Sequence, residues 1–241
     1  MDDKRYAASA AAVKSREGAT VDRGLQAYMQ KVYNMMAFGL VVTGFVSWVT
    51  YQTPALFEAI HGSWIGLVVA LSPLAILFFG LTPSRVSRMS VGGVAGIYVL
   101  LTALIGLSLS YIFAVYSGES IARVFFITAG MFAATSIYGY TTKRDLSAMG
   151  SMMVMAVIGI IIASLVNLFL QSSAMAFAIS VIGVIAFTGL TAWDTQRIKE
   201  TYSYAMAQTE ATKLAIMGAL SLYLDFINLF QFLLHLLGNR E

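Results

Sequence analysis

The apolar stretch from Leu214 to Leu237 constrains the fold more than any other feature of the chain. It reads L-A-I-M-G-A-L-S-L-Y-L-D-F-I-N-L-F-Q-F-L-L-H-L-L. Roughly 20 helical residues cross about 30 Å of hydrocarbon, so this stretch is long enough to span a bilayer. Asp225 lies in its middle. A carboxylate at that depth is costly, so it should face protein or water and have a partner. The only other acid inside an apolar stretch is Asp194. Six further stretches of spanning length precede the last one, at about 32–53, 63–82, 91–116, 121–140, 149–170 and 174–196. The expected fold is an all-α polytopic membrane protein with seven transmembrane helices. A polar tail over residues 1–31 precedes a transmembrane domain over 32–241.

Composition agrees, with 59% hydrophobic and only 11% charged residues, against about 25% charged in a soluble domain. The net charge of +3 is spread over short loops, which excludes a nucleic-acid partner needing a clustered basic face. There is no cysteine, so disulfides, thiolate metal sites and cysteine nucleophiles are excluded. No apolar run lies in the first 30 residues, so no cleaved signal peptide is expected. With seven spans, 13 of the 15 Lys and Arg fall on the side of the N-terminal tail, and only Arg123 and Arg240 on the other. The positive-inside rule then predicts a cytoplasmic N-terminus and a C-terminus on the periplasmic or extracellular side.

Shorter features divide the spans. Pro73 is expected to kink the second, and Pro83 to close it. Glu58 is expected in a short loop, and Ala207-Gln208-Thr209-Glu210 at a turn. Gly92 with Gly96, and Gly159 with Ala163, are small-residue pairs that suit close helix contact or ordinary packing.

Asp194 and Asp225 are 31 residues apart. A symmetric hairpin turning near 209 and 210 brings them to similar depth on the cytoplasmic half of the membrane. On the last helix Gly218, Ser221, Asp225, Asn228, Gln231 and His235 fall on one side at 100° per residue, a polar stripe on an otherwise apolar helix. Two carboxylates in low dielectric repel and should share a proton. Losing that proton would push the helices apart or recruit a cation, and a hard cation such as calcium favours oxygen ligands. The competing reading is structural, with each acid paired to a base such as Arg197, Arg85 or Arg88.

Several strings resemble one family. Leu222-Tyr223-Leu224-Asp225-Phe226-Ile227-Asn228-Leu229-Phe230, with Leu236-Leu237-Gly238, is similar to the last-helix signature of the Bax inhibitor-1 (transmembrane BAX inhibitor motif) family. Trp193-Asp194-Thr195-Gln196 resembles its sixth-helix motif, and Gly139 to Ser147 the hairpin of its bacterial members. Tyr33-Asn34-Met35-Met36 with Gly39-Leu40 and Thr43-Gly44 resembles the start of their first helix. The resemblance covers the chain from about Val32 onward. It implies a bacterial inner-membrane protein whose last helix is surrounded by the other six, and a pH-sensitive calcium leak. In that picture Asp194 and Asp225 form the pH sensor, ion path and calcium contact. Arg85, with Arg88 as alternative, is the latch, and Ser221, Asn228, Gln196 and Arg197 supply supporting polar groups. No cofactor is implied beyond calcium as permeant or bound ion; the lipid bilayer, calcium and protons are the partners. Some bacterial members are implied instead to bind and restrain a membrane-anchored ATP-dependent protease.

No enzymatic chemistry is expected. An intramembrane aspartyl protease would carry Gly-x-Gly-Asp at its second acid, where this chain has Tyr223-Leu224-Asp225. Lys213 lies only at the edge of the last span, which argues against a retinal protein. Glu58, His61 and His235 fall on one side of the membrane and suit interfacial roles better than a metal site.

Overall fold

The computed structural model describes residues 2–203 and 206–239, with side chains described from Arg23 onward. Arg240 and the side chains of Lys4, Arg5, Lys14 and Arg16, which enter the charge asymmetry, lie outside the described residues. The described chain is helical: α1 (Asp2–Gln52), α2 (Pro54–His61), α3 (Ile65–Ala75), α4 (Pro83–Arg88), α5 (Val91–Leu109), α6 (Ile112–Val115), α7 (Gly118–Thr141), α8 (Ser147–Leu170), α9 (Ser173–Thr201) and α10 (Gln208–Leu237). A π-turn, Ile76–Gly80, continues α3. Six helical segments are long and apolar enough to cross a membrane, and a seventh crossing follows if α2 and α3 form one broken span. The protein is thus an all-α, multi-spanning membrane protein.

Helix α1 shows how the pattern directs packing. Its buried residues Val32, Met36, Gly39, Thr43, Ser47 and Thr50 recur every three or four positions, so one face points inward along its length. The outward face carries Phe38, Val41, Phe45 and Trp48, as a helix bathed in lipid can. No break separates the expected tail from the first span; the helix runs through residue 31 into it.

The second span departs from the expected straight helix kinked at Pro73. Glu58 lies within α2 rather than in a loop. The segments Pro54–His61 and Ile65–Gly80 are bent by 76°, so the sharp break is at Gly62-Ser63-Trp64. Gly66 sits against the Ile60 carbonyl, where a Cβ would have no room. Pro73 is accommodated inside α3. It cannot donate to the Val69 carbonyl, as a residue four positions on would; the Ser72 hydroxyl donates to that carbonyl at 2.8 Å instead.

Helix α10 packs against α9, α1, α7 and α5. Over an apolar window 56% of its residues are buried, against 6% for α8. Helix α8 therefore lines the outside, packing chiefly on α9, and Ile158, Ile161, Ile162 and Leu165 on it are exposed. The small pairs Gly92/Gly96 and Gly159/Ala163 are not where helices approach: nothing stands within 4 Å of a Cβ built at Gly96 or Gly159. Close approach occurs at Gly139, where a Cβ would meet the Ala192 carbonyl of α9, and at Gly106, where it would lie 2.7 Å from the Thr43 carbonyl of α1.

The loops bearing most of the basic residues gather at one end. There Lys213 donates to the Ser87 carbonyl at 3.1 Å and Lys199 to the Tyr140 carbonyl at 2.8 Å. At the opposite end the Asn239 N–H donates to Ser120 Oγ at 2.9 Å, and the Arg123 guanidinium reaches the Leu237 carbonyl at 3.4 Å.

Candidate cation site at the acid pair

Helices α9 and α10 run antiparallel with Ile198 against Gly218 and Arg197 Nη2 3.5 Å from Ser221 Oγ. Counting back along both helices from these contacts puts Asp194 level with Asp225. The turn falls earlier than expected. Helix α9 ends at Thr201 and α10 begins at Gln208, so Thr209 and Glu210 belong to the first turn of α10. The register survives because α10 extends past the end of α9, which fixes the level of the acids by helix contact rather than by the position of the turn.

Both carboxyls are buried, Asp194 at 7% and Asp225 at 5% exposure. They lie within electrostatic range of each other and of Arg197. Arg197 Nη2 stands 3.0 Å from Asp194 Oδ1, yet that oxygen accepts no aligned hydrogen bond. The contact is a close ion pair without the directed N–H that would make it a strong one. Among the described residues, Asp225 Oδ2 is buried with no hydrogen-bond partner. A buried acceptor left unmatched is uncommon in folded proteins.

The latch expected at Arg85 or Arg88 is not formed. Both residues are exposed on α4, and neither makes an ion pair among the described residues. Helix α4 instead docks on the start of α10 through Lys213 and a groove of about 490 Å³ lined by Pro83, Val86, Ser87, Leu214 and Met217. The base that meets Asp194 is Arg197, on the same helix three residues on, and its guanidinium also lies over the Trp193 ring at 4.7 Å.

The other expected polar groups have separate tasks. Gln196 grips the α7–α8 hairpin: its Nε2 donates to the Arg144 carbonyl at 2.8 Å, and its Oε1 accepts from the Leu146 N–H at 2.9 Å. Asn228 donates to its own helix at the Leu224 carbonyl, 2.7 Å away. Glu58 and His61 are not gathered into a metal centre; no group of three or more His, Asp or Glu suited to a metal occurs among the described residues. His61 Nε2 instead lies 2.8 Å from Ser110 Oγ.

Two hydroxyl clusters near the acids were not foreseen. Tyr33 OH lies 2.6 Å from Ser136 Oγ, which lies 3.0 Å from Thr195 Oγ1. This chain ties α1 and α7 to the residue beside Asp194. Thr43 Oγ1 donates to the Thr102 carbonyl at 2.9 Å and lies 2.6 Å from Tyr223 OH, two residues from Asp225. The only sequence signal was a hydroxyl inside an apolar span, which most often bonds within its own helix.

Residues 25–241 match the family described as "Inhibitor of apoptosis-promoting Bax1". The chain belongs to the Bax inhibitor-1 family. It is 47% identical over 223 residues to the inner membrane protein YbhL of Escherichia coli K12, covering 90% of this chain and 94% of that one. A protein of Rickettsia prowazekii is also 47% identical over 223 residues, covering 92% and 93% of the two chains. One from Caulobacter vibrioides is 44% identical over 238 residues, covering 94% of each. Membership makes the chain a non-catalytic, lipid-embedded protein. With YbhL as a full-length relative, the chain is a multi-pass protein of the inner membrane. The family supports a general role in membrane transport.

Proposed function

We propose that the protein is a pH-sensitive calcium leak gated by Asp194 and Asp225. Of its seven spans, six surround α10, with the N-terminus cytoplasmic. The observation that carries this reading is the acid pair itself: two buried carboxyls level on adjacent helices, each with an oxygen that no donor among the described residues satisfies. A purely structural acid would be matched by hydrogen bonds, because the desolvation of an unmatched charged group is expensive.

With one proton shared, the pair carries a single negative charge, which Arg197 balances. Losing that proton leaves two negative charges facing one guanidinium. The excess is relieved by a cation entering from the basic end or by separation of α9 from α10. A hard divalent ion suits a site of carboxylate and carbonyl oxygens. Passive calcium influx should therefore increase as pH rises through the range where the shared proton is lost. Protein reconstituted in liposomes that hold a calcium dye tests this. Influx that is absent, or constant between pH 5 and 8, would overturn the reading.

A further inference from the structure

We propose that Arg197 is a tethered cation seated on the acid pair, and that it makes the site select divalent over monovalent cations. This deepens the reading of Asp194 and Asp225 as a cation path and rests on it.

Three contacts hold the guanidinium. It stands 3.0 Å from Asp194 Oδ1, lies 4.7 Å over the Trp193 ring and reaches Ser221 Oγ at 3.5 Å. The Trp193 ring is itself fixed, packed on Gly150 of α8 where a Cβ would have no room. Half of the Arg197 side chain is exposed, while Asp194 beneath it is buried. The guanidinium thus covers the carboxyl from the open side. The same Nη2 that meets Asp194 also lies beside Ser221 Oγ, so a polar contact is at hand for it when a cation takes its place.

Among the described residues no other base is paired with either acid. Lys199, on the same helix, is committed to the Tyr140 carbonyl and ring. On α10, Lys213 is held by the Ser87 carbonyl. From α4, Arg85 and Arg88 reach neither acid. On α1, Lys31 is bonded to Thr212 Oγ1 at 2.7 Å.

The selectivity follows from charge. A tethered group competes at an effective concentration of order millimolar or above. A monovalent ion displacing Arg197 exchanges one positive charge for another and gains little Coulomb energy, while it gives up its hydration. A divalent ion brings twice the charge and is attracted by both carboxylates at once. After exchange, the pair and a divalent ion are neutral together, and Arg197 stays in contact with Ser221 and water.

The test is parallel flux of calcium and of potassium into liposomes, using the full chain, Arg197→Gln, Arg197→Lys and the Asp194→Asn, Asp225→Asn double variant. Arg197→Gln should raise potassium flux relative to calcium flux by about tenfold, the loss of a tethered competitor of the same charge. Arg197→Lys keeps the charge but loses the planar stack, so its ratio should fall between the two. A ratio in Arg197→Gln within about twofold of the unmodified chain, while the double variant abolishes flux, would overturn the role of Arg197 alone. Flux undiminished in the double variant would overturn the acid-pair path, and the role of Arg197 with it. Because Arg197 is half exposed, both single variants should fold, and elution as a single species in detergent checks this.

Discussion

Replacing Gln196 with Ala should loosen the α7–α8 hairpin from the helix that carries Asp194. Two hydrogen bonds are lost. The Leu146 N–H is the costly one, because Leu146 is 5% exposed and Gln196 Oε1 is its acceptor at 2.9 Å. A buried donor left unmatched costs about 1–3 kcal/mol. The bond to the Arg144 carbonyl at 2.8 Å is partly open to solvent, and water can replace it, so it adds about 1 kcal/mol or less. The expected total is about 1–4 kcal/mol. Gln196→Met fills most of the volume but makes neither bond, so it separates hydrogen bonding from packing and should lose nearly as much. Denaturant titration in mixed micelles measures the stability. Because the chain has no cysteine, a Leu146→Cys background supplies a single buried thiol whose reactivity reports hairpin opening. Thiol reactivity should rise with Gln196→Ala. A stability loss below about 0.5 kcal/mol together with unchanged reactivity would refute the argument, since even one unmatched buried N–H costs more than that.

Other outcomes follow from the same structure. Gly139→Ala should push α7 from the Ala192 carbonyl of α9 and cost about 1–3 kcal/mol by overpacking. Gly159→Ala meets nothing and should be neutral or slightly stabilising in the same titration. Asp145 is held below its ordinary carboxylate range by its hydrogen bonds to Ser147. Its stabilising effect is therefore fully present above the ordinary carboxylate pKa and is lost as pH falls through the lower, folded-state value. Asp145→Asn should flatten the acid limb of the stability profile, and an unchanged acid limb would contradict this. Thr43→Val removes the partner of Tyr223 OH and should lower stability by about 1–2 kcal/mol. In a double-mutant cycle with Tyr223→Phe the losses should be less than additive.

What was legible in the sequence was what depends on local pattern. Apolar length announced the spans, and Asp225 inside one of them announced a buried acid. The level placement of Asp194 was also readable, because an antiparallel pair needs only a count along the chain. The turn was misplaced because Gln208, Thr209 and Glu210 are as acceptable in a first helical turn as in a loop, and Glu there favours the helix N-terminus. The loop expected around Glu58 is instead helix α2, because Pro54 suits a first helical turn as well as it suits a loop. Of the bases the sequence offered, Arg197, Arg85 and Arg88, the structure sets Arg197 against Asp194, one turn along the same helix. The bonds of Tyr33 to Ser136 and of Thr43 to Tyr223 join residues more than a hundred positions apart, and no periodicity predicts which hydroxyls will meet.

The central claim is that cations pass by way of Asp194 and Asp225. It is tested most directly by calcium influx into liposomes across pH 5 to 8, with both acids intact and with both changed to Asn. The account predicts influx that rises with pH for the intact chain and is lost, together with its pH dependence, in the Asp194→Asn, Asp225→Asn variant. Equal influx and an equal pH profile in the two proteins would contradict it.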